Sequence, residues 1–180
     1  MSRNKEFVED RDGIDHSSDD MIYIREIVKR ESSIGCSRYK HPSLGRIVVV
    51  FSYNTLESWK DFIARGLQIS TSTVEWVNFF QHKPIQKELK KIMNTELCPF
   101  SSINEIEDYI LGLRSLRDFI SHGLVDSSAK EFDKKIERLK KASLLINPME
   151  LNLENINNIL EFHENLGNAL GVIYCKLHNK

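Results

Sequence analysis

The residues of this chain best suited to chemistry lie in one short stretch, residues 117–124, with the sequence RDFISHGL. It carries an arginine and a histidine five positions apart, Arg117 and His122, and an acid, Asp118, directly after the arginine. A guanidinium is a permanent cation that can hold a phosphate. An imidazole can transfer a proton near neutral pH. Together these side chains suggest metal-free cleavage of an RNA phosphodiester.

The spacing alone is a weak signal, because the chain contains it twice. Arg11 and His16 are also five positions apart, within the polar stretch RDGIDH, which has no helical apolar pattern. Short motifs of this kind recur by chance. The copy at Arg117 lies inside a strongly periodic segment, so the surrounding pattern favours it over the copy at Arg11.

Arg117 continues an apolar series along its predicted helix. Apolar residues recur there every three or four positions: Ile103, Ile106, Ile110, Leu113 and Ile120. Arg117 therefore lies on or beside the core-facing stripe, where a cation is costly unless an anion satisfies it. Two interpretations stay open: a phosphate clamp at an interface, or a structural residue that is ion-paired within the chain or reaches solvent. The acids available for an internal pair are Glu107, Asp108 and Asp126.

His122 lies at the end of the same predicted helix. On a straight helix it projects about 140° away from Arg117 and about 7.5 Å further along the axis. Gly123 is a typical residue to follow a helix end, so the backbone can re-aim the imidazole, and a second copy of the chain can bring two motifs to one phosphate. The alternative is a histidine that only caps the helix C-terminus.

This motif in a helical chain of this length resembles the HEPN domain family (higher eukaryotes and prokaryotes nucleotide-binding). The ribonuclease members carry an arginine, a polar residue, three or more variable residues and a histidine, matched here by Arg117, Asp118 and His122. Gly123 matches a glycine common after that histidine in several subfamilies. Leu124 stands where one antitoxin-linked group has a tyrosine, so regulation through that tyrosine is not implied. The resemblance covers these eight residues closely and the rest of the chain in outline.

The resemblance implies a metal-independent endoribonuclease that needs no cofactor and acts as a toxin or defence effector. His122 would take the proton from a ribose 2′-OH, and Arg117 would hold the non-bridging oxygens of the attacked phosphate. His122 of a second copy would protonate the leaving 5′ oxygen, giving a 2′,3′-cyclic phosphate and a 5′-OH end. Asp118 would orient the arginine or the histidine, or would be only an exposed acid. The implied partners are RNA, a second copy that completes a composite active site, and a cognate antitoxin or regulatory protein.

Two rival functions stay open beside the enzyme. One is a HEPN-like bundle without catalysis, a regulatory or RNA-binding dimerisation module. The other is a helical adaptor with no nucleic-acid role, in which Arg117 is a buried ion-pair residue. A metal site is not favoured, because the other histidines form no HxxxH or HExxH pair and the three cysteines form no CxxC pair.

Composition sets the broad class of the protein. The 180 residues predict a polar, mobile tail over residues 1–17 and a single helical domain over residues 18–180, which the resemblance implies is HEPN-like. The formal net charge is −1, so RNA binding must depend on a local patch. The widely spread cysteines suit a reducing cytoplasm. No apolar run reaches membrane-spanning length, so no membrane partner is expected.

The chain is predicted to form an all-α bundle of about five to seven helices. A β-branched run over residues 47–53 has the composition of a buried strand, yet it continues without a turn signal into a helical pattern. The charged segment near residue 135 carries six cations interleaved with acids, typical of a solvated face, with guidance of an RNA backbone as the alternative. The first predicted helix begins in the Ser17–Asp20 cluster and ends before Gly35, the second covers about 44–66, and the third follows a Thr/Ser cap at 70–73. The fourth begins at Pro84 and ends before Cys98, and the fifth begins at a capping box of Ser101 or Ser102 with Glu105. The sixth runs from a Ser127–Ser128 cap to about 146, and the seventh covers about 152–177.

Overall fold

The computed structural model of this chain describes residues 19–31, 40–122, 129–144 and 151–178. The sequence predictions that lie outside these residues include the tail over residues 1–17, the end of the first helix before Gly35, the helix cap at Ser127 and Ser128, and the break between the last two helices near residue 147. The backbone of the helix that carries Arg117 is described over its whole length.

The described residues form seven helices and no strand, so the predicted all-α bundle is confirmed. The helices pack around α2, which contacts α7, α5 and α3, while α6 packs against α5. The bounds are α1 (19–31), α2 (Lys40–Gly66), α3 (Trp76–Gln81), α4 (Lys83–Ile92), α5 (Ile103–His122), α6 (Ala129–Lys141) and α7 (Leu153–His178).

The β-branched run over residues 47–53 is helical, as its continuation into a helical pattern predicts. Within it Val48, Val49 and Tyr53 are buried, whereas Ile47 and Phe51 are exposed. Buried positions spaced by one and four residues follow the period of a helix and not the alternation of a strand. α2 is thus a long helix whose buried side faces the rest of the bundle.

The helix of the candidate site begins at the predicted cap. The hydroxyl of Ser102 accepts a hydrogen bond from the Glu105 N–H at 3.1 Å, and the Glu105 carboxylate accepts from the N–H and hydroxyl of Ser101 at 2.8 and 2.6 Å. This is a capping box whose second half is shifted by one residue. The hydrogen bonds from Ser101 lower the pKa of Glu105. The apolar stripe behind the cap is buried at Ile106, Ile110 and Leu113.

The short third helix begins later than predicted, and the Thr/Ser cluster at residues 70–73 does not cap it. Glu75 precedes the first helical residue, Trp76, and makes no side-chain capping hydrogen bond. Val74 is already buried, and its N–H donates to the Asp61 carboxylate on α2 at 3.4 Å. The prediction of the cap was wrong because contacts with α2 hold the chain outside the helix up to residue 75.

The sixth helix ends at Lys141, earlier than the predicted boundary near residue 146. The chain turns at Ser143, whose φ is 54°, and the Leu144 N–H donates to the Leu139 carbonyl at 2.8 Å. The Ser143 N–H donates to the Lys140 carbonyl at 3.1 Å, which completes a Schellman motif. Leu144 is buried as the residue after the turn. Its apolar side chain made the helical pattern appear to continue, so the predicted helix end lay too late in the sequence.

A glycine allows α5 and the end of α6 to approach closely. A Cβ added at Gly112 would overlap the Cβ of Ala142 and lie 3.2 Å from the Arg138 carbonyl oxygen. We therefore expect Gly112→Ala to push the two helices apart and to lower the free energy of unfolding by about 1–3 kcal/mol. Urea-induced unfolding of the purified variant measures this loss.

Gly171 of α7 provides the matched control for this prediction, because a Cβ there would meet nothing within 4 Å. Alanine has the higher helix propensity, so Gly171→Ala should leave the stability unchanged or raise it by up to about 1 kcal/mol. Equal effects of the two substitutions would mean that the contact between Gly112 and Ala142 does not limit the approach of α5 to α6.

Candidate functional site

Arg117 lies in the last two turns of α5 with its guanidinium held on two sides. Its Nη2 lies 3.1 Å from Oδ1 of Asp118. Its Cζ lies 4.7 Å from the centre of the Tyr53 ring on α2, a cation–π contact. Its Nε is buried and has no hydrogen-bond partner among the described residues. The guanidinium is therefore fixed in position while part of its donor capacity is unused.

The internal anion that pairs with Arg117 differs from the acids suggested by the sequence. Neither Glu107 nor Asp108 takes this role in the described part of the chain, and Asp126 lies outside it. The pair forms instead with the adjacent Asp118, whose side chain is 22% exposed against 26% for Arg117. Asp118 is thus not a fully exposed acid, and it does contact the arginine that it was expected to orient.

Lys135 of α6 approaches the same carboxylate from the other side. Its Nζ lies 3.7 Å from Oδ2 of Asp118 and 5.5 Å from the centre of the Phe119 ring. The lysine side chain is only 18% exposed. A cation, an anion and a second cation therefore lie in a row, Arg117, Asp118 and Lys135, across the junction of α5 and α6.

The ring beneath Arg117 is itself held by a polar network on α2 and α3. The Tyr53 hydroxyl donates to Glu57 at 2.8 Å, and the Trp76 indole N–H donates to the same carboxylate oxygen at 2.5 Å. Lys60 Nζ lies 2.6 Å from the other oxygen of Glu57 and 3.4 Å from Asp61. Burial, with the charge of Glu57, raises the pKa of Tyr53. Tyr53 therefore serves as a protonated platform and not as a base.

His122 closes α5 with its backbone, while its side chain lies outside the described residues, as do Gly123 and Leu124. The juxtaposition of His122 with Arg117 therefore stays a prediction. What the described residues bring together are Arg117 and Asp118 with Tyr53 and Lys135.

Sequence reasoning missed Tyr53 and Lys60, and it placed Lys135 only among the six cations of a charged segment, although the two lysines share a signal. Lys60 follows Val49, Tyr53 and Leu56 along one stripe of α2, and all four side chains are buried. Lys135 lies between Phe132 and Ile136, on the side of α6 that leads to the buried Leu139. A cation on an apolar stripe marks a paired charge, the same criterion that identified Arg117.

A second polar cluster joins α1 to α7 around His163. The imidazole is buried, its centre lies 4.8 Å from that of the Trp59 ring, and its Nδ1 lies 3.4 Å from Nη2 of Arg25. Arg25 also pairs with Glu164 at 3.0 Å. Burial, and to a smaller extent Arg25, lowers the pKa of His163 to about 3. A histidine that is enclosed and neutral at physiological pH fits a structural role.

We expect the free energy of unfolding to fall as the pH is lowered from about 6.5 toward 3, with His163 responsible for part of the loss. In this window the unfolded imidazole takes up a proton that the folded one excludes. Its contribution therefore falls by up to about 1.4 kcal/mol per pH unit. Urea unfolding near pH 7 and pH 5 measures the decline, which should be shallower in His163→Gln. Equal declines would contradict the assignment.

Three findings concern metal sites, membrane-spanning helices and similarity to known proteins. Within the described residues no group of three or more histidine, cysteine, aspartate or glutamate side chains is arranged to hold a metal ion. No helix in that part of the chain is both long enough and apolar enough to cross a membrane. Comparison with protein-family models, curated proteins and solved structures found no match.

Proposed function

We propose that this protein is a metal-independent endoribonuclease of the HEPN type that acts as a toxin or defence effector. The setting of Arg117 carries the proposal. Its guanidinium is only partly exposed, is fixed between the Tyr53 ring and Asp118, and precedes the end of its helix at His122 by five residues. A pre-positioned donor of this kind can stabilise charge that develops on a phosphate during the reaction.

The chemistry follows from the two side chains of the motif. Neutral His122 accepts the proton of a ribose 2′-OH, and the 2′ oxygen forms a bond to the adjacent phosphorus. The bond from phosphorus to the 5′ oxygen breaks, and that oxygen takes a proton from an imidazolium, supplied by His122 of a second copy. Arg117 holds the non-bridging oxygens throughout. The products are a 2′,3′-cyclic phosphate and a 5′-OH end.

Local charge supports RNA as the substrate of a protein whose formal net charge is −1. Arg117 and Lys135 carry two positive charges around the single carboxylate of Asp118, so this row keeps one positive charge. RNA backbones are bound through phosphate contacts that need such a local cation more than a basic protein as a whole. The proposal includes a homodimer, a cytoplasmic location and an antitoxin or regulatory protein as partner.

A specific observation favours the alternative of a non-catalytic HEPN-like regulatory or RNA-binding dimerisation module. Asp118 already satisfies the charge of Arg117 within the chain at 3.1 Å, so the arginine does not need a phosphate for the protein to fold. Such a module would bind RNA through Arg117 without cutting it.

The test is incubation of an end-labelled RNA of mixed sequence with the purified protein in excess EDTA. Cleavage that leaves cyclic phosphate ends supports the enzyme, and bound but uncut RNA supports the module. The chain supplies a control in its second arginine–histidine pair: Arg11→Ala combined with His16→Ala should cut like the wild type. Loss of cutting in this control would assign the activity to Arg11 and His16 and not to Arg117 and His122. A wild-type protein that neither binds nor cuts RNA would exclude both functions.

A further inference from the structure

We infer that Lys135 is a second phosphate-binding cation that acts together with Arg117, and that the Asp118 carboxylate occupies the place of the phosphate in the free protein. The nature of the ligand, an RNA phosphodiester, rests on the proposed function. The anion site itself rests on the geometry of three side chains from α5 and α6.

The first step is that two cations from different helices meet different oxygens of one carboxylate. Arg117 lies 3.1 Å from Oδ1 of Asp118, and Lys135 lies 3.7 Å from Oδ2. The geometry in which a guanidinium binds a carboxylate also suits two oxygens of a phosphate. Arg117 and Lys135 are therefore spaced to hold a phosphate in the way that they now hold Asp118.

The second step is that neither cation uses all of its hydrogen-bond donors on Asp118. A separation of 3.7 Å is too long for a hydrogen bond, so the Lys135 ammonium attracts the carboxylate without being locked to it. The Nε of Arg117 has no acceptor among the described residues. The Lys135 ammonium therefore keeps donors for an added anion. The Nε of Arg117 is buried, so an anion would meet Arg117 through the Nη2 that now pairs with Asp118.

The third step concerns the surroundings of the row. The three side chains are between 18% and 26% exposed, so an anion can reach them while screening by water is reduced. The Tyr53 ring fixes Arg117 from α2, and the Phe119 ring lies near Lys135. Two cations that each lie against an aromatic ring require little reorganisation when a phosphate binds.

The alternative is that Lys135 is purely structural and forms an ion pair that joins α6 to α5. The two roles predict opposite effects of Asp118→Asn on phosphate affinity. If Asp118 competes with phosphate, Asp118→Asn removes the competitor and raises the local charge from one positive charge to two. Phosphate should then bind about fivefold more tightly. If Asp118 only orients the cations, the same substitution should weaken binding.

The first arm of the test uses inorganic phosphate as the probe. Its binding is followed by NMR through the side-chain Nε–H of Arg117, in the wild type and in folded Lys135→Gln. We expect Lys135→Gln to weaken phosphate binding about fivefold. The matched control is Lys134→Gln, which removes an exposed lysine from the neighbouring position of α6 and should bind like the wild type. Equal affinity in the three proteins overturns the site, and Asp118→Asn tests it independently if Lys135→Gln fails to fold.

The second arm uses a 2′-O-methyl RNA, which lacks the attacking hydroxyl and cannot be cut by the proposed reaction. Loss of one phosphate contact should reduce the steepness of the dependence of log affinity on log salt by about 0.7 in Lys135→Gln and not in Lys134→Gln. If Lys135 governs phosphate binding but the wild type neither binds nor cuts RNA, the anion site stands and the proposed nuclease falls. If unmodified RNA is cut equally by both lysine variants and phosphate binds them equally, the nuclease stands and the assignment of Lys135 falls.

Discussion

Arg117→Ala and His122→Ala should each abolish most RNA cleavage while leaving a folded protein. A positioned donor that stabilises charge in the transition state contributes about 10²–10³ in rate, and general acid–base catalysis contributes about 10²–10⁴. The measurement is the initial rate of cleavage of an end-labelled RNA in excess EDTA, with circular dichroism to verify the fold of each variant.

The matched control for Arg117 lies one turn earlier on the same helix. Arg114 forms an ion pair with Glu75 at 3.5 Å, near the surface, and is not part of the row formed with Asp118. Arg114→Ala should therefore cut RNA within about threefold of the wild type, because surface ion pairs contribute little. A loss in Arg114→Ala equal to that in Arg117→Ala would show that the assay reports general charge and not a specific site.

A conservative substitution separates two contributions of Arg117 to catalysis, its positive charge and the planar shape of its guanidinium. Arg117→Lys keeps the positive charge but loses the planar fork that meets two oxygens at once. We expect it to cut faster than Arg117→Ala and slower than the wild type.

The rival functions predict other results for these variants. An adaptor predicts that Arg117→Ala unfolds the protein and that His122→Ala has no effect. An RNA-binding module predicts that the variants lose affinity for RNA and that no protein, including the wild type, cuts it.

Glu57→Gln should lower the free energy of unfolding by about 3 kcal/mol, toward the lower end of the range for breaking a buried ion pair. Lys60 is 1% exposed, and its shortest ion pair, at 2.6 Å, is with Glu57. The neutral amide still accepts hydrogen bonds from Tyr53 and Trp76, so the loss falls mainly on the buried ammonium. The partial exposure of Glu57 and the remaining contact of Lys60 with Asp61 at 3.4 Å moderate it.

Two further proteins make this result interpretable. Adding Lys60→Met to Glu57→Gln removes the unpaired buried charge and should recover most of the lost stability. Glu137→Gln breaks an exposed ion pair with Lys141 and should change the stability by no more than about 0.5 kcal/mol. Urea unfolding of the four proteins measures these differences. Equal stability of Glu57→Gln and Glu137→Gln would show that Lys60 does not depend on Glu57.

Local sequence was sufficient for most helix positions but not for the way in which helices end. α2 ends at Gly66 as predicted, yet the residue in the left-handed conformation is Gln68, with a φ of 57°. The Ile69 N–H then donates to the Ala64 carbonyl at 2.8 Å. Gly66 serves a tertiary purpose, because a Cβ there would lie 2.8 Å from the Tyr174 ring. A glycine near a helix end therefore need not be the residue that adopts the left-handed conformation of the turn.

By itself the sequence determined the class of fold and the stripe of α5 on which Arg117 lies. Both depend on the period of apolar residues along one helix, which local geometry sets. Lys60 and Lys135 also lie on apolar stripes, so the sequence contains the same signal for them, although it was recognised only for Arg117.

Only the tertiary structure decided which groups meet those cations. The ring under Arg117 comes from Tyr53 on α2, its anion is the adjacent Asp118, and the second cation beside that anion comes from Lys135 on α6. Periodicity assigns a side chain to a face of a helix but not to a neighbour across an interface. The register between helices follows from how whole faces pack, as in the close approach of Gly112 to Ala142, and so the partners of a buried charge are fixed only when the bundle assembles.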